Sequence, residues 1–164
     1  MSDVFPVRAA RALDVPGIAA LVNGFAAQAV MLPRSAESIA LALDDFVVAA
    51  DCHGRVVACG ALKQYSPSLA EVASVAVSPE AHGHGVGRTI VAAVERLAMV
   101  RGVEEVFALT LTPGFFEAVG YGVNDRTRYP EKLRRDCASC ARRSACREVC
   151  VSRTLVAEVI DAAA

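Results

Sequence analysis

The stretch AVSPEAHGHGVGRTIVAAV, residues 76–94, places three glycines at alternate positions, Gly83, Gly85 and Gly87. They follow an apolar run and begin a helical pattern, although each interior glycine costs a helix about 1 kcal/mol. A strand, a glycine-rich turn and a helix together present free backbone N–H groups and a positive helix end to an anion. The stretch therefore favours a pyrophosphate site, and the candidate contacts are His82, Gly83, His84, Gly85, Val86, Gly87 and Arg88.

Other glycine motifs do not fit this loop. Its spacing differs from the dinucleotide fingerprint, and no Gly-Lys-Ser/Thr follows as in a Walker loop. His82 and His84 could be a metal pair, but no third ligand is near in sequence. We prefer an interpretation in which partial protonation of these histidines near neutral pH favours phosphate.

The hydrophobic periodicity predicts the order β-α-α-β-β-β-α-β-α-β. Asp14 is the expected N-cap of a helix to about Ala29, and Ser35 that of a second helix. Hairpin signals indicate antiparallel strands, whereas the strand–helix–strand unit at 70–111 indicates a parallel crossover. The expected fold is α/β (α+β), a mixed, mostly antiparallel sheet with one parallel strand pair and flanking helices. The predicted strands are 5–9, 46–50, 56–62, 70–77, 106–111 and 150–156.

Composition predicts one domain over residues 1–164, with a basic, cysteine-containing segment at about 125–150. The net charge of −1 gives no indication of nucleic-acid binding. No apolar run reaches the roughly 18 residues of a membrane span. We see no signal peptide, so the expected compartment is the cytoplasm.

The segment VASVAVSPEAHGHGVGRTIVAAVERLA, residues 72–98, resembles the acetyl-CoA-binding core of the GNAT acetyltransferases. The resemblance implies that loop amides hold the pyrophosphate of acetyl-CoA, the cosubstrate. It also implies that Val75, Ala76 and Val77 pair with the pantetheine arm where two parallel strands splay apart. His82 replaces the family's usual Arg or Gln, and Phe116 stands where many members have a tyrosine acid, which leaves the general acid unassigned.

Four further segments, residues 31–39, 56–79, 106–121 and 129–140, together resemble amino-acid acetyltransferases that make N-acetylglutamate, the first step of arginine biosynthesis. The match covers roughly residues 6–156 and implies an amino acid, L-glutamate first, as the small-molecule acceptor. A homodimer is also compatible with this resemblance. One departure leaves the acceptor open, because Ala73 replaces an arginine of many relatives.

The same resemblance implies roles for single residues. Glu71 is the expected base, acting through water on the α-ammonium, and Thr110 the small hydroxyl near the acceptor amine. Arg34 and Lys132 are expected to bind the acceptor's carboxylates. The tetrahedral oxyanion needs N–H donors, and the backbone at Val75 or Ala76 is our choice.

Four cysteines crowd the basic segment: Cys137, Cys140, Cys146 and Cys150. A two-residue spacing lets two thiolates bind one tetrahedral metal, so structural zinc is the first expectation. Surface or redox-active thiols, disulfides and an iron–sulfur cluster remain alternatives. Cys150 could instead turn inward as a small core residue.

Three functions stay open at this point. The favoured one is acetyl-CoA:L-glutamate N-acetyltransferase, by direct attack of the deprotonated amine on the thioester. The second is acetylation of another small amine or a protein amine. The third is a non-catalytic acyl-CoA-binding sensor, for which substitution of Glu71 would change nothing.

Overall fold

A computed structural model describes residues 5–155 of the chain. Within them, seven strands form one sheet in the order β1-β2-β3-β4-β5-β7-β6. The strands are β1 Val7–Ala9, β2 Phe46–Ala50, β3 Val56–Gln64, β4 Leu69–Val77, β5 Glu105–Thr110, β6 Gly122–Asn124 and β7 Val149–Thr154. The α-helices are α1 Val15–Ala27, α2 Ala36–Leu41, α3 Val86–Val100, α4 Pro113–Ala118 and α5 Pro130–Arg135. This confirms the predicted mixed α/β fold.

The sheet buries both of its faces under helices. Val47 and Ala49 of β2 face the α3 side, where Ile90 and Val94 pack. Their neighbours Phe46 and Val48 face the other side, with Ile18 of α1 and Ile39 of α2. Because successive side chains of a strand point to opposite faces, a strand covered on both sides reads as one apolar run, as β2 does. Complete burial of one Val, Ile or Phe side chain contributes about 1.5–3 kcal/mol to the free energy of unfolding.

Several local predictions are confirmed. Ser35 Oγ accepts a hydrogen bond from the Ser38 N–H and caps α2. The β2–β3 hairpin turns where expected, and Asp51 Oδ1 accepts from the backbone N–H groups of His53 and Arg55 at 2.9 Å each. Gly54 has a φ of +78°, which glycine adopts without strain.

Other predictions differ in detail. Asp14 is the N-cap residue of α1, as predicted, but its side chain makes no cap hydrogen bond; it accepts two bonds from the Arg8 guanidinium, and this pair lowers the pKa of Asp14. Helix α1 ends at Ala27, before Ala29. Strand β6 and helix α5 were not predicted, because elements of three and six residues show little periodicity. The expected end of the last strand at Val156 lies outside the described residues.

The parallel pair β4–β5 determines where the site lies. The two strands pair over only three residues, Leu69↔Glu105, Ala70↔Val106 and Glu71↔Phe107. Beyond Glu71, β4 pairs with β3 alone and runs on to Val77, while β5 pairs with β7. A register shift against β3 adds a bulge in β4, where Ser74 has a left-handed φ of +52°. The predicted splay is therefore present.

The contact between β3 and α3 gives a stability test. A Cβ on Gly60 would lie 2.6 Å from Ile90 Cγ2 and 3.2 Å from Val94 Cγ2, both in the core. We expect Gly60→Ala to lower the free energy of unfolding by about 1–3 kcal/mol through overpacking. Gly24→Ala, on the exposed side of α1 with nothing within 4 Å, should stabilise by about 0.5–1 kcal/mol. Urea unfolding followed by circular dichroism measures both, and equal effects would contradict the packing.

Candidate active site

The splayed strands open onto a cleft of about 830 Å³. It extends between β4 and β5, under the loop between α1 and α2, and past α5. Nine of the residues predicted for the site line it: Arg34, Glu71, Val75, Ala76, Val77, His82, Thr110, Phe116 and Lys132. The rest of the glycine loop, residues 83–88, follows His82 outside the cleft lining.

The three glycines serve two different physical purposes. Gly83 and Gly85 have φ values of +79° and +71°, which side chains rarely adopt. Gly87 is needed for space, because a Cβ there would lie 3.2 Å from the Phe115 ring. Gly85 is the N-cap of α3 and makes no side-chain cap. The first N–H groups of this 15-residue helix are thus left for an anion, at the positive end of its dipole.

The two loop histidines do not form a pair. His82 Nε2 lies 2.9 Å from the Val77 carbonyl oxygen, which ties the loop to the end of β4. The His84 ring packs edge-on against Phe5, with centroids 5.6 Å apart. The two rings are therefore held by different partners.

Glu71 is the buried acid of the cleft, only 6% exposed. Its Oε2 accepts from Lys132 Nζ at 2.9 Å and lies 2.9 Å from the Tyr65 hydroxyl oxygen. The other carboxylate oxygen of Glu71, Oε1, forms no hydrogen bond with any residue between 5 and 155. This oxygen is therefore available to a ligand. The arrangement suits a carboxylate that takes a proton from a group entering the cleft.

A second carboxylate, Asp136, completes a charged network around Glu71. Its Oδ2 lies 2.6 Å from Lys63 Nζ, 3.1 Å from Lys132 Nζ and 2.5 Å from the Tyr65 hydroxyl. Burial alone would raise the pKa of Asp136, but these donors outweigh it and lower the pKa. Burial and the two acids raise the pKa of Tyr65. The pKa of Lys132 is raised because Glu71 and Asp136 outweigh its own burial.

The two cationic residues predicted for the acceptor differ in their surroundings. Lys132 Nζ is held by Glu71 and Asp136, so its charge is already compensated within the protein. Arg34 is positioned through its backbone, whose N–H and C=O both bond to the Asn23 side chain. Its guanidinium lies 5.1 Å from the centre of the Phe46 ring. It forms no ion pair with any residue between 5 and 155, so it can still bind a carboxylate.

Thr110 and Phe116 lie on the β5 side of the cleft. Thr110 is 9% exposed, and its Oγ1 accepts from the Thr112 N–H at 2.9 Å. Phe116 packs edge-on between Phe115 and Tyr121. The Tyr121 hydroxyl donates to Glu95 Oε1 at 2.9 Å in the core, where burial raises its pKa.

Sequence reasoning missed Lys63, Tyr65, Asp136 and Glu148 at this site. Lys63 is the register partner of Glu71 in the β3–β4 hairpin, which strand pairing alone could have indicated. Asp136 follows Lys132 by four residues, a helical spacing that places ion pairs together. Glu148 lines the cleft, and burial with the nearby charge of Glu71 raises its pKa. No sequence signal links it to β4.

The zinc prediction does not fit the structure. Among residues 5–155, no three His, Cys, Asp or Glu side chains are grouped to hold a metal ion. Cys150 turns inward, 4% exposed, and packs with Phe107 and Tyr129, while Cys146 is exposed. Cys137 and Cys140 are partly buried, and the four thiols are free. The segment is tied down instead by charged side chains, such as Arg142, whose guanidinium donates to the Ala29 and Met31 carbonyls.

Comparisons with known proteins agree with this geometry. The model of the acetyltransferase (GNAT) family matches residues 25–121, more than half of the chain. The chain belongs to this family. An uncharacterized N-acetyltransferase of Chlorobaculum tepidum is 41% identical over 149 residues, 91% of this chain and 96% of that protein. An amino-acid acetyltransferase of Mycobacterium tuberculosis is 38% identical over 117 residues, 70% of this chain and 67% of that protein.

A solved structure extends the comparison to ligands. The N-acetylglutamate synthase of Neisseria gonorrhoeae, complexed with coenzyme A and N-acetyl-glutamate, superimposes with a TM-score of 0.84 at 28% identity. The match covers 93% of this chain but 35% of that chain, so this chain spans about a third of its length. The chain is thus a GNAT N-acetyltransferase related to amino-acid acetyltransferases, and relatives of it bind coenzyme A. None of the helices between residues 5 and 155 is long and apolar enough to cross a membrane.

The glycine loop gives a binding test. Gly85→Ala places a side chain at a left-handed φ next to the free helix end, so we expect coenzyme A affinity to fall at least about tenfold. The matched control is Gly102→Ala, which has a φ of +79° and open space just beyond the other end of α3. It should cost similar stability and leave affinity unchanged. Isothermal titration calorimetry measures both, and equal affinities would contradict the assignment of the loop.

The cysteine segment gives a second test. Since the four thiols are not grouped around a metal position, prolonged treatment with a chelator should leave the melting temperature unchanged within about 1 °C. A loss of several degrees, restored by zinc, would show that the thiols do converge on an ion.

Proposed function

We propose that this protein transfers the acetyl group of acetyl-CoA to the α-amine of an amino acid, L-glutamate first. The observation that carries the proposal is the buried Glu71, which lines the cleft beside the splayed strands with one carboxylate oxygen free. The acetyl carrier and the acceptor would meet at this point. The likeness to a synthase complexed with N-acetyl-glutamate supports the choice of acceptor.

The acetyl-CoA side is built from backbone. The diphosphate would lie against the amides of residues 83–88, and the pantetheine along Val75, Ala76 and Val77. Beyond the third residue pair, β5 no longer pairs with β4, so polar backbone groups there need another partner. A pantetheine amide can supply it, as a peptide does when it adds to a sheet edge.

The acceptor side depends on charge. An α-ammonium must lose a proton before its nitrogen can attack a thioester, and Glu71 is the nearby group that can take it, directly or through water. Arg34 would bind a carboxylate of the acceptor, because no residue within 5–155 compensates its charge. Backbone N–H groups at Val75 or Ala76 would stabilise the oxyanion.

No residue is assigned as the general acid that would protonate the leaving thiolate of coenzyme A. Phe116 has no hydroxyl, and the Tyr121 hydroxyl is bound to Glu95 in the core. A thiolate is a tolerable leaving group, so this chemistry does not require one.

One observation favours a second candidate, acetylation of an amino acid with a single carboxylate or of another small amine. Lys132 is already paired, and Glu148 adds a further acid to the cleft. That leaves less positive charge for two acceptor carboxylates than the sequence implied. A cytoplasmic location and a homodimer stay predictions from the sequence.

The decisive assay measures acetyl-CoA consumption with each of the twenty amino acids and several polyamines. We expect turnover with glutamate or a close analogue. Turnover with polyamines alone would support another small amine instead, and tight coenzyme A binding without turnover on any amine would support a sensor.

Two variants test the roles of the acceptor residues. Glu71→Gln should lower kcat by roughly 10²- to 10⁴-fold with little change in coenzyme A affinity. Arg34→Gln should raise KM for the amino acid at least about tenfold. Arg96→Gln on the exposed side of α3 is the matched control and should leave both constants unchanged. A normal KM for Arg34→Gln would remove Arg34 from the site.

A further inference from the structure

The Tyr65 hydroxyl lies between two carboxylates. Its oxygen is 2.5 Å from Asp136 Oδ2 and 2.9 Å from Glu71 Oε2. A phenol carries one proton and can donate it to one acceptor at a time. One of the two contacts therefore lacks a proton whenever both acids are ionised.

The geometry indicates which acid receives the proton. The contact with Asp136 is the shorter of the two, and short distances are typical of O–H donation to a carboxylate. Asp136 is also held as an anion by Lys63 and Lys132, which lower its pKa together with Tyr65. The phenol oxygen then turns a lone pair toward Glu71.

We propose that Tyr65 and Asp136 are positioning residues that make Glu71 a better base. Asp136 holds the phenol proton, so the phenol oxygen can accept a hydrogen bond from Glu71 once Glu71 has been protonated. The inference rests on the proposed function, in which Glu71 takes a proton from the acceptor.

The proton balance of the step is simple. An N–H bond of the acceptor ammonium breaks, its electron pair stays on nitrogen, and an O–H bond forms on Glu71. The proton enters on Oε1, the oxygen that is open to the cleft. A half-turn of the neutral carboxyl group then brings its O–H to Tyr65 Oη while Tyr65 donates to Asp136, so each of the two oxygen–oxygen contacts now contains one proton. Glu71 later releases the proton to water, and Asp136 stays ionised throughout.

Other charged groups also act on Glu71 and Asp136. Lys132 of α5 donates to both acids, and Lys63 of β3 donates to Asp136. The Arg135 guanidinium lies 5.2 Å from the centre of the Tyr65 ring. Glu148, Cys137 and Cys150 are close enough to Glu71 for its charge to affect their own pKa values. None of them offers Glu71 a neutral oxygen as acceptor, which Tyr65 alone provides among the contacts of its carboxylate in residues 5–155.

The test is the pH dependence of kcat/KM in Asp136→Asn. Removing the anion turns the phenol proton toward Glu71, so the ionised base is stabilised and the protonated one loses its acceptor. The acid limb should move to lower pH by about one unit, and kcat on the plateau should fall about tenfold with KM within twofold. Loss of the Asp136 charge alone would move the limb in the same direction. Asp136→Asn is therefore repeated in the Tyr65→Phe background, and an equal shift there, or a limb that stays in place or moves to higher pH, would overturn the proposal.

A second variant covers the case in which Asp136→Asn disturbs folding. Tyr65→Phe removes the acceptor of protonated Glu71 and should move the limb in the same direction. A shift to higher pH would mean that the phenol donates to Glu71, against the proposal. Tyr129→Phe is the matched control, because its hydroxyl bonds to Glu105 at 2.8 Å and its ring stacks on Phe107, the same ring that Tyr65 contacts. It should leave the profile unchanged.

A readout without turnover separates this inference from the proposed function. Carboxyl-carbon NMR of protein with labelled glutamate, assigned by the signal missing in Glu71→Gln, follows the protonation of Glu71 directly. Its titration should move to lower pH in Tyr65→Phe even if no amino acid is acetylated. An unchanged titration overturns the inference alone, whereas an inactive wild type with this shift overturns the proposed function alone.

Discussion

The early separation of two parallel strands is the constraint on which the rest of the site depends. β4 and β5 pair over three residues and then take different partners, β3 and β7. The bulge in β4 and the left-handed backbone of Ser74 bend the strand where this pairing has ended. A sheet interior seldom leaves polar backbone groups without partners, so the gap calls for a ligand with its own amides.

The ends of the same gap account for the two halves of the chemistry. At its open end, β4 leads into a loop whose glycines leave the N-terminus of α3 bare for a phosphate. At its closed end, Glu71 is the last residue of the paired stretch. Under the proposed function, the thioester and the base would lie on one strand, and the cysteine-containing segment places Lys132 and Asp136 beside Glu71 and Tyr65. That segment, where zinc was expected, is joined to β3 and β4 by the ion pairs of Lys132 and Asp136, and we propose that it contributes to the acceptor site.

The sequence predicted the features that depend on local spacing. Three alternate glycines indicate a backbone anion site, because residues with side chains rarely adopt two of those φ values and a Cβ on Gly87 would crowd the Phe115 ring. The hairpin and the Ser35 cap were likewise readable from a few adjacent residues. The contact between Tyr65 and Asp136 could not be predicted from the sequence. The two residues are 71 positions apart, and the segment that contains Asp136 has no clear periodicity. The zinc prediction does not fit the described residues, because cysteine spacing gives no information about the direction of each side chain, and Cys150 turns into the core.

The central claim is that the gap between the splayed strands receives the acyl carrier. A crystal structure of the protein with coenzyme A tests it most directly. The account predicts that the diphosphate contacts the backbone amides of residues 83–88 and that the thiol lies between β4 and β5 near Glu71. Coenzyme A bound elsewhere on the protein, or a thiol pointing away from the Glu71 end of the cleft, would contradict it.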